Sequence, residues 1–226
     1  MRNILITIVL SSVCFYALGQ TTPRAGGSKE RVTMVVEKEV NTIEVEKPKC
    51  VPSNAFGLDL GLGAMYDNDW FGIEESPAFT FAFGFRYLHH FLPYFGVDFF
   101  KFNNKLSFKN GFSYAPDVFY FDYNPQLMTG IRGNTPVFAK CMSGYGAFRL
   151  GIGASIESIS DDDIDLSFFG IGFCYELEIG LNLTRTVFIA YSYNHQGGTR
   201  TDNDSDYDYP LNMNYHAFRI GFNFGK

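Results

Sequence analysis

Residues 167–183, "SFFGIGFCYELEIGLNL", place two carboxylates, Glu176 and Glu178, inside a run that is otherwise apolar. Alternation resolves the conflict. Phe169, Ile171, Phe173, Tyr175, Leu177, Ile179 and Leu181 fall on one parity, and Gly170, Gly172, Cys174, Glu176, Glu178 and Gly180 on the other. Successive side chains of an extended chain point to opposite faces, so the stretch reads as a strand with one apolar face and one face of small and charged residues. The fold turns on what each face meets.

The same two-faced pattern recurs eight times, at about 55–66, 78–88, 93–102, 118–132, 142–156, 167–181, 185–195 and 214–224. Phe79, Phe81, Phe83, Phe85 and Tyr87 form the apolar face of the second segment, and Phe218, Ile220, Phe222 and Phe224 that of the last. Pro125 interrupts the fourth segment, which predicts a bulge or a late strand start there. The opposite parity carries many Gly and a few charges: the acids Asp59, Asp98, Glu176 and Glu178, and the bases Arg86, Arg132, Arg149 and Arg219. Four oppose four, and Lys is missing from the middle of these faces.

Water would favour Lys, Thr, Ser and Glu on the second face, as in a soluble sandwich or soluble β-barrel. A narrow lumen instead needs small residues to make room for a few large ones, and its buried charges need partners. The apolar faces then meet lipid, where an outward Arg at mid-membrane costs about 2–4 kcal/mol. Tyr66, Tyr87, Tyr123 and Tyr193 stand on the outward parity near strand ends, as interfacial aromatics do. The connections "DNDWFGIEESP" (67–77), about fifteen residues from Asn103, "ESISDDDID" (157–165) and "QGGTRTDNDSDYDYPLN" (196–212) are longer than "HHFL", "GNTPVFAKC" and "NLT". Long connections on one side and shorter turns on the other describe an up-and-down barrel with both ends on the short-turn side.

Composition agrees. Aromatics make up 18% of the 226 residues, with 25 Phe and 14 Tyr, and the 23 Gly are scattered, which favours strands over helices. A net charge of -6 argues against a nucleic-acid partner, since phosphate binding needs a basic surface. The start, "MRNILITIVLSSVCFYALGQ", reads as a secretory signal peptide over 1–19. Residues 20–54, rich in Lys and Glu and without an aromatic, read as a periplasmic linker with one short extended segment around Val32 to Val45. Beyond the signal stand Cys50, Cys141 and Cys174; either the first two form a bridge or all three are unpaired, and no metal spacing is present.

The signal peptide, the eight segments over 55–226 and the terminal strand "YHAFRIGFNFGK" resemble the small eight-stranded outer-membrane β-barrel proteins of Gram-negative bacteria, of the porin-family, OmpX or OmpA-transmembrane-domain type. The last strand is similar to the segment read by the barrel-insertion machinery, although Gly225 and Lys226 follow the final aromatic, Phe224. The resemblance implies an all-β, antiparallel, transmembrane barrel in the outer membrane, with the N-terminal segment and the C-terminus periplasmic. Its implied partners are outer-membrane lipids and lipopolysaccharide, the insertion machinery, and an extracellular ligand or protein.

The chemistry is read the same way. Asp161, Asp162, Asp163 and Asp165, with Asp202, Asp204, Asp206 and Asp208, fall in two expected extracellular loops, as do Asp67, Asp69, Glu74 and Glu75. They read as solvated loops, or as loose cation contacts to lipopolysaccharide phosphates; the EF-hand pattern fails because Tyr207 and Met213 replace its Gly and Glu. A lipid A-modifying enzyme would need His195 or His216 to meet Ser192, but Ser192 has the inward parity and His195 the outward one. No catalytic residue, cofactor or metal is assigned. His89 and His90 read as polar turn residues. The sequence therefore points to a barrel with a plugged, charge-paired lumen and a structural or surface-interaction role, with Lys105 to Tyr120 as contact surface; a small-solute pore is the alternative.

Overall fold

In a computed structural model the described residues are 31–36, 39–44, 50, 52–67, 77–92, 94–112, 115–160, 165–202 and 207–225. The expected signal peptide lies outside them. The chain divides into two units, Met1–Lys49 and Cys50–Lys226. In the first, β1 (Arg31–Val36) and β2 (Glu39–Glu44) pair as an antiparallel hairpin, with Val32 opposite Ile43. The expected single extended segment is thus two short strands.

The second unit is a closed ring. Its strands are β3 (Asn54–Asp67), β4 (Ala78–Leu92), β5 (Phe95–Phe112), β6 (Ala115–Asn134), β7 (Ser143–Ser160), β8 (Asp165–Asn182), β9 (Val187–Asp202) and β10 (Asp208–Gly225). Each pairs antiparallel with its neighbours in sequence, and β10 closes on β3 with Arg219 opposite Gly61. Closure leaves no open edge, so the backbone groups of the ladder are satisfied within the chain.

Burial is inverted relative to a soluble protein. Leu60, Leu62, Leu150, Ile152, Ile171, Phe173, Phe218 and Ile220 are exposed on the outside, Phe173 at 80%, while Arg86, Arg149, Asp98, Glu176 and Arg219 are buried inside. Alternation along β8 runs Phe169 out, Gly170 in, and so on through Glu178 in and Ile179 out. An outer surface of this kind is stable against hydrocarbon and not against water. The described residues include no helix long and apolar enough to cross a membrane; the strands make the crossing.

Three sequence expectations change. Pro125 lies within β6 opposite Asn104, and the ladder to β7 resumes in the same register beyond it, so it makes neither a bulge nor a strand start. The bulge sits in β5, where the register shifts between Asp98 and Lys101 and where Phe99 and Phe100 fall between inward Asp98 and inward Lys101. Most of the expected long loops are strand: β5 and β6 pair as far as Phe112 and Ala115, β7 and β8 as far as Ser160 and Asp165, and β9 and β10 as far as Thr201 and Asp208. Between these ends remain only residues 113–114, 161–164 and 203–207. Polar side chains in these stretches line the lumen above the apolar belt, which is why their composition reads as loop.

Outward tyrosines find hydrogen-bond partners on the next strand. Tyr87 donates to Asn54 at 3.2 Å, Tyr123 to Asn104 at 2.9 Å and Tyr193 to Asn214 at 2.7 Å, while Tyr66 meets His216 edge-on. A phenol facing lipid needs such a partner. Cys50 and Cys141 form a disulfide that ties the chain just before β3 to the turn between β6 and β7, and Cys174 is a buried free thiol. His89 and His90 are part of β4 rather than a turn. His90 Nδ1 shares a hydrogen bond with the Pro52 carbonyl at 2.8 Å, and its Nε2 meets the Asn134 amide at 2.8 Å, so it fastens the same end of the ring.

Candidate functional site in the barrel lumen

The lumen is filled by charge. Glu176 and Glu178, two apart on β8, both point inward and lie at its centre. Lys101 donates to Glu176 at 2.7 Å and to Glu178 at 2.9 Å; Arg149 Nη1 donates to Glu176 at 2.5 Å and its Nε to Asp98 at 2.6 Å. Arg86 pairs with Glu178 at 3.1 Å, and Arg219 pairs with Asp59 and stands 3.7 Å from Glu176. Ser192 is inward as well and accepts from Arg219 Nε at 2.9 Å, while His195 is outward on Asn214, so these two side chains are kept apart.

Glycine makes this crowding feasible. A Cβ added at Gly84 would stand 2.6–2.9 Å from the Asp59 carboxylate, so only a residue without a side chain lets Asp59 lie across β4 to meet Arg219. Seven of the eight residues read from the sequence as a network are joined by ion pairs. Arg132 is not. It stacks over the Tyr145 ring at 3.5 Å and donates to the side-chain carbonyls of Asn134 at 3.3 Å and Asn182 at 3.0 Å.

The structure adds six charged residues. Lys101 and Lys105 are buried, against the expectation that Lys is missing here. The β5 bulge hid them: it flips the parity after Asp98, so a reader who extends the even positions past it puts both on the lipid side. Lys105 donates to Asn194 at 2.5 Å and sits 3.9 Å above the Tyr215 ring. Asp122 shares the parity of Arg132 on β6 and was legible from it. Glu157, Arg200 and Asp67 fall where the sequence reads as loop; Arg200 bridges Asp67 and Glu157 at 2.7 Å each. Asp67 is thereby a buried lumen residue rather than an exposed loop acid. Seven acids now face seven bases among the described buried residues.

Amides and hydroxyls fill the level above the central carboxylates. Gln126, Asn194, Gln196 and Asn124 bond to one another at 2.9–3.0 Å, and Ser155 donates to Asp122 and Glu157. Over these, Met65, Ala78, Ile159, Phe168, Leu211 and Met213 with Tyr120 and Tyr215 make an apolar cap. This apolar cap lies toward the end that carries the longer connections, and the Asp67–Arg200–Glu157 ion pairs are set among it, with cap residue Tyr120 donating to Glu157.

The expected contact surface, Lys105 to Tyr120, is divided by this arrangement. Lys105, Ser107 and Tyr120 are buried inside, whereas Phe108, Asp117 and Phe119 are exposed. Of the expected loop carboxylates, Asp161, Asp162, Asp163, Asp204 and Asp206, with Asp69, Glu74 and Glu75, lie outside the described residues. Asp165 and Asp208 are exposed, and Thr201 donates to Asp208 at 2.7 Å. Among the described residues no group of three or more His, Cys, Asp or Glu side chains could hold a metal ion.

No family model and no curated protein matches the chain. Among solved structures it is similar to Ail, the attachment invasion locus protein of Yersinia pestis, at 14% identity over 77% of this chain and 99% of that one, with a TM-score of 0.49. It is also similar to Neisserial surface protein A at 12% identity over 76% and 97%, TM-score 0.46, and to the outer-membrane protein OprG of Pseudomonas aeruginosa at 11% over 80% and 100%, TM-score 0.48. Residue roles do not transfer at this distance. The ring of eight antiparallel strands, its apolar exterior and its polar filled interior give this chain the architecture of a transmembrane β-barrel.

Proposed function

We propose that the protein is a closed barrel that does not conduct solutes, and that it acts in the outer membrane as a structural and surface-interaction element. The observation that carries this reading is the filled lumen: seven acids and seven bases, all buried, share it with an apolar cluster that includes Met65, Phe168, Leu211 and Met213. A solute would have to break buried ion pairs and part that cluster, each a cost of several kcal/mol or more. What is left to interact is the rim. β6, at 20 residues, is the longest strand, and Phe108, Asp117 and Phe119 are exposed on β5 and β6 toward the end where these two strands join.

In this reading the rim faces outward from the cell and binds an extracellular ligand or protein, while residues 20–54 and the C-terminus face the periplasm. The Cys50–Cys141 disulfide at the opposite end suits that oxidising compartment. Planar-bilayer recording of the purified, heat-modifiable barrel tests closure. A flat baseline supports the proposal; steady unitary steps from the wild-type protein overturn it in favour of a small-solute pore. Protease treatment of intact cells tests the orientation, with cleavage expected near 113–114 or 203–207 and not confined to 20–54.

A further inference from the structure

Among the described residues two buried bases of the lumen, Lys105 and Arg132, make no ion pair, and the position of Arg132 is specific. At the centre four acids, Asp59, Asp98, Glu176 and Glu178, meet Arg86, Lys101, Arg149 and Arg219. Toward the capped end Arg200 bridges Asp67 and Glu157, Asp122 accepts from Ser155 and Tyr215, and Lys105 donates to Asn194. Arg132 belongs to neither group. It is 1% exposed and spends two of its nitrogens on the neutral amides of Asn134 and Asn182; among the described residues it makes no ion pair and its Nη1 has no hydrogen-bond partner.

Arg132 lines a recess at the end of the ring where β3 begins and β10 ends. Arg185, Asn134, Asn182, Asn223 and His90 line it too, and no Asp or Glu does. A guanidinium taken out of water without a counter-ion is expensive, and an anion held in the recess lowers that cost. Planar guanidinium geometry suits an oxyanion or carboxylate, and a second Arg at the mouth adds to the same sign of potential.

We propose that this recess is an anion site, taking a carboxylate or a small inorganic oxyanion on Arg132 with Arg185 at its entrance. Neither group takes part in the ion pairs of the central network. The site faces away from the capped end, so its ligand arrives from the side that holds the ring's two termini.

The test uses the full-length barrel in detergent micelles. Its thermal unfolding midpoint is followed while sodium acetate, and separately sodium phosphate, is titrated at ionic strength held with sodium chloride. The proposal expects a saturating rise with at least one of the two, lost in Arg132→Gln; acetate alone identifies a carboxylate ligand and phosphate alone an inorganic oxyanion. If Arg132→Gln does not fold, Arg185→Gln, at an exposed position, takes its place and should raise the half-saturating concentration about 2- to 5-fold, as expected for one exposed charge. A midpoint that follows ionic strength only, or a response that the substituted protein retains in full, overturns the proposal.

Discussion

Replacing Arg149 with Met removes the most connected base of the lumen, and the loss does not spread evenly. Glu176 keeps Lys101 at 2.7 Å and Arg219 at 3.7 Å, and Glu178 keeps Lys101 at 2.9 Å and Arg86 at 3.1 Å. Asp98 keeps no ion pair: Arg149 Nε at 2.6 Å is its ionic partner, and its other oxygen has no hydrogen-bond partner. Stranding a buried carboxylate in this way costs about 3–5 kcal/mol. Adding Asp98→Asn to Arg149→Met removes the stranded charge and should return a large part of that roughly 3–5 kcal/mol. Lys101→Met alone, which leaves both glutamates with Arg partners, should cost less than Arg149→Met. Equilibrium urea unfolding in phospholipid vesicles, followed by circular dichroism, ranks the three. A wild-type midpoint for Arg149→Met, or no recovery in the double variant, would refute the assignment of Asp98 to Arg149.

Other outcomes follow from the same geometry. Phe173→Arg places a charge on the lipid face of β8 and should destabilise the barrel in vesicles by about 2–4 kcal/mol if the position lies near mid-membrane, read as a lower urea midpoint. Gly84→Ala should lower the midpoint as well, because the added methyl group displaces Asp59 from Arg219; Asp59→Asn combined with Gly84→Ala should lose less than the two single changes summed. Reducing the Cys50–Cys141 bridge frees a separation of 91 residues in the unfolded chain, and loop-closure entropy puts the loss at about 4–5 kcal/mol; urea curves with and without dithiothreitol measure it. In the folded, oxidised protein a thiol reagent should leave Cys174 unmodified, and denaturation should expose it as the one reactive thiol among the described cysteines.

The strand faces were legible because hydrocarbon and a narrow lumen select opposite residues with a period of two. That period survives in β8, where Phe173 and Glu176 sit on the faces their parity assigns. It failed in β5, where one extra residue at the bulge moved Lys101 and Lys105 to the lumen, and no propensity in "VDFFKF" marks the shift. It failed again above the belt. Glu157 and Arg200 stand in polar surroundings that read as loop, although the strands continue and both side chains turn inward. Arg132 was legible as a lumen residue but not as one lacking a carboxylate, because pairing depends on which strands face each other across the barrel. That arrangement is set by the register of the whole ring and is not visible in any one strand.

The central claim is that the odd positions of 169–181 face lipid while Glu176 and Glu178 share the inner face. Nitroxide labels placed one at a time along this stretch, in a Cys174→Ser background reconstituted in vesicles, report it through collision rates with dissolved oxygen. The account predicts a period of two, with high rates at 171, 173, 177 and 179 and low rates at 170, 172, 176 and 178. High rates on the even positions, or rates without a period, would contradict it.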